Sequence, residues 1–261
     1  MDVFYLQLLT SFILSVLIVI AVTVLAEKYG TKVGGILGTL PHLIIVAFVF
    51  IALNKGEDFA SDAAHIVPAE VGVNILFLFL FAHFSRQNLG KAIVVSLGVW
   101  AVLSFILVVG EFTTIYSSLA IYGLSAVGCF FILEHHLEVG SGGQVKVHYT
   151  PVKLVLRGVL AGIVIASSVA LSEMGSAISG IFTVFPAMFL STVVIMYLEH
   201  GPDFSSGMAK SMIFGTPSVV SYAVGVHFLY PEFGIFWGSL GSVALAVTVC
   251  AVIFSFREQM K

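Results

Sequence analysis

Long apolar runs constrain this sequence more than any other feature. A helix needs about 20 predominantly apolar residues to cross the hydrocarbon core of a bilayer. Backbone groups in hydrocarbon have no water to pair with, so each run must be helical. The sequence therefore predicts an all-α polytopic membrane protein with about nine transmembrane helices. The runs are roughly 5–26, 33–53, 64–85, 91–110, 112–133, 151–172, 176–199, 209–230 and 233–255.

Composition excludes several other classes. Hydrophobic residues make up 59% of the chain and charged residues only 10%, whereas a soluble domain carries about 25% charged residues. The net charge is −3 and no basic tract occurs, so nucleic acid is not expected as a partner. No HExxH, Walker A or GxSxG motif is present, so neither an enzyme nor a resident cofactor is predicted.

Lysine and arginine residues set the expected orientation. With nine spans, ten of them fall on one side of the membrane and only Lys55 on the other. Positive residues collect on the cytoplasmic side, which predicts an external N-terminus and a cytoplasmic C-terminus. The ten are Lys28, Lys32, Arg86, Lys91, Lys146, Lys153, Arg157, Lys210, Arg257 and Lys261.

Two stretches of the sequence align without a gap when it is shifted so that Gly30 falls on Gly175. Residues 30–77 and 175–222 share 11 identities in this register. They include a motif, Gly-x-Asp-Phe-x-Ser-x-x-Ala, that begins at Gly56 and again at Gly201. A shared apolar composition does not account for such a motif, so we interpret the pattern as an internal repeat.

The same shift carries spans 1–4 onto spans 6–9 and leaves span 5 unmatched. Five spans separate each helix from its copy, so the copies must cross the membrane in opposite senses. This 4+1+4 arrangement is an inverted-topology repeat, which is typical of secondary transporters. The predicted domains are a first repeat at 1–110, a linking helix and cytoplasmic loop at 111–149, and an inverted second repeat at 150–261.

The second repeat carries a set of residues that resembles a known family. They are Ile178-Ser-Gly-Ile-Phe182, Phe185-Pro186, Tyr197, Glu199-His-Gly201, Pro217-Ser218 and Tyr222. In these residues the repeat is similar to the small four-span membrane proteins of the GlpM family. The first repeat keeps Gly35, Pro41 and Gly56 but has Leu40 and Phe77 where the second has Phe185 and Tyr222. The resemblance implies two fused four-span units, with the second the closer match.

Glycine and proline interrupt spans 2 and 7 at matching positions. Gly35 and Pro41 of the first repeat correspond to Gly180 and Pro186 of the second. Interrupted spans in corresponding halves indicate the binding site of a transporter, so these four residues are predicted hinges. The alternative is that the glycines permit tight helix packing and the prolines merely kink.

Ionisable residues at membrane depth are few and form the predicted ion site. Glu70 and Asn74 lie four residues apart on one face of span 3, and His65 stands near the outer end of that face. His42 directly follows Pro41 near the centre of span 2. An intramembrane carboxylate is by default a functional hypothesis, and imidazole is a common metal ligand. We therefore predict that His42, Glu70 and His65 bind a metal; a structural role remains the alternative.

Neutral oxygens complete the predicted binding set. Hydroxyls of this kind suit hydrogen bonding to a solute or completing the shell of an ion, although they also cap and join membrane helices. The predicted residues are Thr39, Thr183, Ser218, Ser221 and Tyr222.

These features together predict a secondary transporter that moves a cation by alternating access. The cargo is a divalent metal, H⁺ or Na⁺; a proton-coupled transporter of a small polar organic solute is the next alternative. A channel and a non-transporting scaffold or partner subunit are the rivals. The expected location is multi-pass in the plasma or inner membrane, with lipid as the surrounding partner, and a homodimer is allowed.

Overall fold

The computed structural model describes residues 3–39, 41–110, 114–135 and 149–259; the side chains at 26, 29–39, 135, 254 and 256–259 are left undescribed. The described part of the chain forms ten helices and no strand. They are α1 (Val3–Thr39), α2 (His42–Lys55), α3 (Glu57–His65), α4 (Val67–Ser85), α5 (Leu89–Val109), α6 (Ile115–His135), α7 (Pro151–Leu171), α8 (Ser176–Thr183), α9 (Ala187–Ile213) and α10 (Thr216–Gln259).

Six helical segments of the described residues are long and apolar enough to cross a membrane. Many large apolar side chains on them point outward; Leu124 is 77% exposed and Phe236 is 71% exposed. Such a surface is unfavourable in water and favourable in lipid. The all-helical, membrane-embedded class predicted from the sequence therefore fits the structure. The segments are Val3–Leu25, Glu57–Ser85, Leu89–Val109, Ile115–Glu134, Pro151–Leu171 and Ser176–Ile253.

In the structure, the boundary between the first two helices lies at a different residue from the one predicted. Helix α1 continues through residues 27–32, which were expected to form a loop, and ends at Thr39. The chain breaks at Pro41, and α2 begins at His42. Proline has no backbone N–H and its ring clashes with the preceding turn, so the helix ends there and not at the glycine-rich stretch before it.

Isolated glycines in the left-handed region divide the longer helical segments. Gly56 separates α2 from α3 with φ 94° and ψ 167°. Gly201 interrupts α9 with φ 84° and ψ 178°, and Gly234 interrupts α10 with φ 72° and ψ 177°. Only glycine adopts such angles without a steric penalty. The apolar segment Ser176–Ile253 is therefore several helices in series.

The described chain clusters into two compact units. The first contains residues 1–67, 145–185 and 217–261. In it α1 packs along α7, where Gly158 and Gly162 lie against Val16 and Phe12. A Cβ atom on Gly162 would come within 2.7 Å of the Phe12 ring, so the missing side chain lets these two apolar helices pack closely.

The second unit contains residues 68–144 and 186–216. Its core includes Phe77, Phe81 and Leu133, none of which is exposed. Gly72 of α4 faces α6, where the backbone of Tyr122 would lie 3.2 Å from an added Cβ atom. The Tyr122 hydroxyl lies 3.1 Å from Oγ1 of Thr216, so a polar contact also joins the elements of this unit.

Candidate functional site

Glu70 is a carboxyl-bearing residue buried in a membrane-length segment. It lies in the first turn of α4, within the apolar segment Glu57–Ser85, and none of it is exposed.

Helix α5 supplies the groups around this carboxyl. Ser104 donates a hydrogen bond to Oε1 of Glu70 at 2.9 Å. The indole N–H of Trp100, one turn earlier on α5, interacts with the same carboxyl group. The second oxygen, Oε2, is buried and accepts no standard hydrogen bond from the residues that the structure describes.

This arrangement limits the chemical forms of Glu70. Burying an ionised carboxylate is very costly unless a cation or several donors accompany it. The neutral donors Ser104 and Trp100 do not balance a full charge. The site is therefore suited to a carboxyl group that carries a proton or holds a cation at Oε2.

The sequence did not single out Ser104 and Trp100, although a signal existed. Ser96, Trp100 and Ser104 recur every four residues and so share one face of α5. All three are buried, with exposures of 0%, 8% and 5%. A polar face at helical spacing inside an apolar run indicates a neighbour with a polar group, and that neighbour is Glu70.

Asn74 is the second polar residue predicted for this region. It lies one turn after Glu70 on α4 and is 1% exposed. Both residues belong to the second unit. The helical spacing places Glu70 and Asn74 on the same face of α4, as expected. The role of Asn74 in binding stays a prediction.

The other predicted binding residues whose side chains are described lie in the first unit. Their hydroxyls form short-range contacts: Thr183 donates to the Gly180 carbonyl at 2.6 Å, and Ser221 donates to the Ser218 carbonyl at 3.0 Å. Tyr222 is fully buried, with its hydroxyl 3.4 Å from that of Tyr230. These contacts match the alternative in which hydroxyls stabilise helices.

The three predicted metal ligands lie on three different helices. His42 is the first residue of α2 and is half-buried, and His65 ends α3 with its ring centroid 6.4 Å from that of His227. Among the described residues, no group of three His, Cys, Asp or Glu side chains lies close enough to hold a metal ion. In this structure His42, Glu70 and His65 therefore do not form one three-residue site, and metal binding by any of them stays a prediction.

Of the four predicted hinges, the two prolines coincide with helix ends and the two glycines lie within helices. Pro41 precedes α2 with φ −80° and ψ 43°, and Pro186 precedes α9 with φ −74° and ψ 22°. Gly180 lies inside α8, packed against the backbone of Ala63. Gly35 and Thr39 have a helical backbone, and their surroundings fall outside what the structure describes. The prolines break the helices as predicted; whether these breaks move stays a prediction.

The fold and the buried carboxyl group define a helical membrane protein with an ionisable site in an apolar segment. Residues 8–114 are similar to a family described as a protein of unknown function (DUF3147). This match covers the first part of the chain and less than half of its length. Neither the curated proteins nor the solved structures contain a significant match.

Proposed function

We propose that this protein is a secondary transporter that moves a cation by alternating access, with Glu70 as the residue that binds or couples the ion. The observation that carries the proposal is the buried carboxyl group, which has Ser104 on one oxygen and no standard hydrogen bond on the other among the described residues. H⁺ fits a single carboxyl group best, because it needs no further ligands. Na⁺ and a divalent metal come next.

Matching backbone breaks support the inverted repeat. Gly56 has φ 94° and ψ 167°, and Gly201, its counterpart in the repeat register, has the similar values φ 84° and ψ 178°. Pro41 and Pro186 are counterparts in the same register, and each precedes a helix. A shift found from residue identities is thus repeated in local conformation, as expected for two copies of one folded unit.

Two long-range hydrogen bonds follow the same register. Ser61 donates through Oγ to the carbonyl oxygen of His227 at 2.7 Å, within the first unit. Ser206 lies 2.8 Å from the carbonyl of Pro202 and 3.0 Å from that of Ala82, within the second unit.

The shift carries Ser61 to Ser206 and Ala82 to His227. A serine of each repeat therefore contacts a helix of the other repeat at the corresponding residue. Such reciprocal contacts support two intertwined copies of one four-span unit. The residues 8–114 of the family match lie close to the proposed first repeat at 1–110, which agrees with a separate ancestral unit, and the resemblance to the GlpM family remains part of this proposal.

The ion pairs support the proposed nine-span topology. Lys55 contacts Glu173 at 2.7 Å, and the nine-span topology assigns both to the outer side. Arg86 contacts Asp203 at 3.2 Å, and that topology assigns both to the cytoplasmic side. Groups on opposite sides of a hydrocarbon core cannot pair across its thickness of about 30 Å. These contacts therefore favour the nine-span topology, whereas the proposed orientation and the multi-pass location in the plasma or inner membrane depend on the distribution of Lys and Arg.

Flux measurements in proteoliposomes test the transport proposal. The purified chain is assayed for H⁺ movement with a pH-sensitive dye, and for Na⁺ and Zn²⁺ uptake. Glu70→Gln should abolish the flux, because the amide keeps the shape but neither carries a proton nor balances a cation. Glu232→Gln, at an exposed carboxyl group, is the matched control and should transport normally.

Two results would contradict the proposal. Equal flux in the Glu70→Gln variant and the native chain would remove Glu70 from the mechanism. Absence of flux for every ion tested, from correctly folded protein, would favour the scaffold alternative. Single-channel currents would favour the channel instead.

Labelling with a membrane-impermeant maleimide tests the inverted repeat. Asp58 and Asp203 occupy equivalent repeat positions and both are exposed. In intact cells, Asp58→Cys should react and Asp203→Cys should react only after the membrane is opened. The native cysteines Cys129 and Cys250 are buried and provide the unreactive background. Reaction of both variants from the same side would contradict opposite orientations.

A further inference from the structure

The groups that contact the Glu70 carboxyl are hydrogen-bond donors. Ser104 presents its hydroxyl hydrogen to Oε1 at 2.9 Å. The indole nitrogen of Trp100, which interacts with the same carboxyl group, can only donate. In the part of the chain that the structure describes, no charged side chain contacts this carboxyl group. The two oxygens therefore differ, because Oε1 is held by Ser104 and Oε2 is buried without a standard hydrogen bond.

Helix α6 packs on another side of α4. Gly72 follows Glu70 by two residues, which places it about 200° around the helix. A Cβ atom on Gly72 would lie 3.2 Å from both the Ser125 hydroxyl and the Tyr122 backbone of α6. Tyr122, the titratable residue at this contact, has its hydroxyl 3.1 Å from Oγ1 of Thr216. The polar groups of α6 at this contact therefore lie away from the Glu70 carboxyl.

Metal cations need several ligand atoms that offer lone pairs. Zn²⁺ takes about four ligands and Ca²⁺ about six to eight oxygens, and Na⁺ likewise needs several oxygens around it. The neighbours of Glu70 present hydrogens, whose partial positive charge opposes a second cation beside the same group. A proton needs only one lone pair, and Oε2 provides it. The set of donors therefore suits H⁺ and disfavours metal ions.

This inference rests on the proposed transport function and makes its cargo specific. We propose that Glu70 binds H⁺ at Oε2 and excludes Na⁺ and divalent metals, and that Ser104 is a residue that determines this selectivity. The Ser104 hydroxyl fixes Oε1, so the proton is gained and lost at Oε2. Gain of a proton converts the carboxylate into the neutral acid, which is the form that an apolar segment accommodates at the lower cost.

Labelling with dicyclohexylcarbodiimide tests the proposal without measuring transport. This apolar reagent reacts with protonated carboxyl groups, so it should modify Glu70 in the full-length chain in detergent, and less so as pH rises. Mass spectrometry of proteolytic fragments reads the modification. NaCl and ZnCl₂ should leave its rate unchanged, because neither ion occupies Oε2. Glu232, whose carboxyl group is exposed and ionised at neutral pH, is the control that should stay unmodified.

Two substitutions at Ser104 test its role in selectivity. Ser104→Asp replaces the hydroxyl with a carboxylate, which offers a metal ion further oxygens beside Glu70. ZnCl₂ should then protect Glu70 from the reagent, provided that the variant elutes from a sizing column as the native chain does. Ser104→Thr keeps the hydroxyl and is the matched control, in which ZnCl₂ should give no protection.

The outcomes separate this inference from the transport proposal. Protection of native Glu70 by NaCl or ZnCl₂, or no labelling at any pH, would overturn proton selectivity and leave cation transport standing. No protection in a folded Ser104→Asp variant would overturn the role of Ser104. If the native chain is labelled as expected but moves no ion in proteoliposomes, the transport proposal fails while proton binding at Glu70 is supported.

Discussion

Gly180 on α8 lies directly against the carbonyl oxygen of Ala63 on α3, so close that no side chain fits between them. A Cβ atom on Gly180 would also come within 2.9 Å of Ile66 and 3.0 Å of the Ala63 carbonyl carbon. Backbone atoms cannot rotate away as a flexible side chain does. The glycine predicted as a hinge therefore serves as the close contact between two helices of the first unit.

Replacing Gly180 with alanine should destabilise the protein by about 1–3 kcal/mol or more, because the added methyl group forces α8 away from α3. Gly98 of α5 is the matched control, since nothing lies within 4 Å of its added Cβ atom. Gly98→Ala should be neutral or slightly stabilising through helix propensity. Unfolding in a denaturing detergent series measures both. Equal stabilities of the two variants would contradict the close contact.

Ser61→Ala should cost about 1 kcal/mol, because it leaves the His227 carbonyl without its hydroxyl donor. Ser206→Ala should cost less, because its hydroxyl is also close to the Pro202 carbonyl, 2.8 Å away in its own helix. Ser255→Ala, where the hydroxyl contacts only Ala251 at 2.9 Å and is exposed, is the control. The loss of unfolding free energy should be largest for Ser61→Ala, smaller for Ser206→Ala and smallest for Ser255→Ala.

The glycines with positive φ angles lead to a separate prediction. No atom lies within 4 Å of an added Cβ atom at Gly56 or Gly201, so any effect of alanine comes from the positive φ angle. Each Gly→Ala change should destabilise by about 1–2 kcal/mol, and by similar amounts because the two conformations match. Gly123→Ala, in open space within α6, should not destabilise. A large effect at only one of the two glycines would argue against equivalent turns.

The ion pair between Glu173 and Lys55 should make the stability of the protein depend on acidic pH. A hydrogen bond from Lys55 at 2.7 Å, with a second from Asn54 at 3.3 Å, lowers the pKa of Glu173 below its ordinary 4.5. A lowered pKa favours the ionised form in the folded state, so this stabilisation is present above the unfolded pKa and lost as pH falls through the folded pKa.

Thermal unfolding between about pH 6 and pH 3 measures this effect. The native chain should lose more stability on acidification than Glu173→Gln, in which no group titrates at that position. Lys55→Met should reduce the acid sensitivity in the same way, and the double variant should resemble either single variant. Identical pH profiles for the native chain and Glu173→Gln would contradict a contribution from this pair.

Local chemistry made several features predictable. The helical class followed from apolar runs, because hydrocarbon leaves the backbone no partner except itself. The break at Pro41 followed from the missing N–H of proline, and the motif that begins at Gly56 was recognised because it recurs at Gly201. Each of these depends on residues that are neighbours along the chain.

Other features could not be read from the chain. Helix α1 continues through residues 27–32, where a loop was expected; local preference is only a weak guide to such a boundary. Glu70 was identified as unusual at its depth, but its partner Ser104 lies 34 residues away. Ser104 resembles any small hydroxyl in a membrane helix until its neighbour is known.

By itself, the sequence determined that the chain is helical, apolar and punctuated by glycine and proline, because these are properties of single residues and their nearest neighbours. Only the tertiary structure decided which polar groups meet: Ser104 with Glu70, and Ser61 with His227, 166 residues apart. A hydrogen bond requires atoms within about 3 Å, and sequence spacing along one helix cannot specify that distance between two helices.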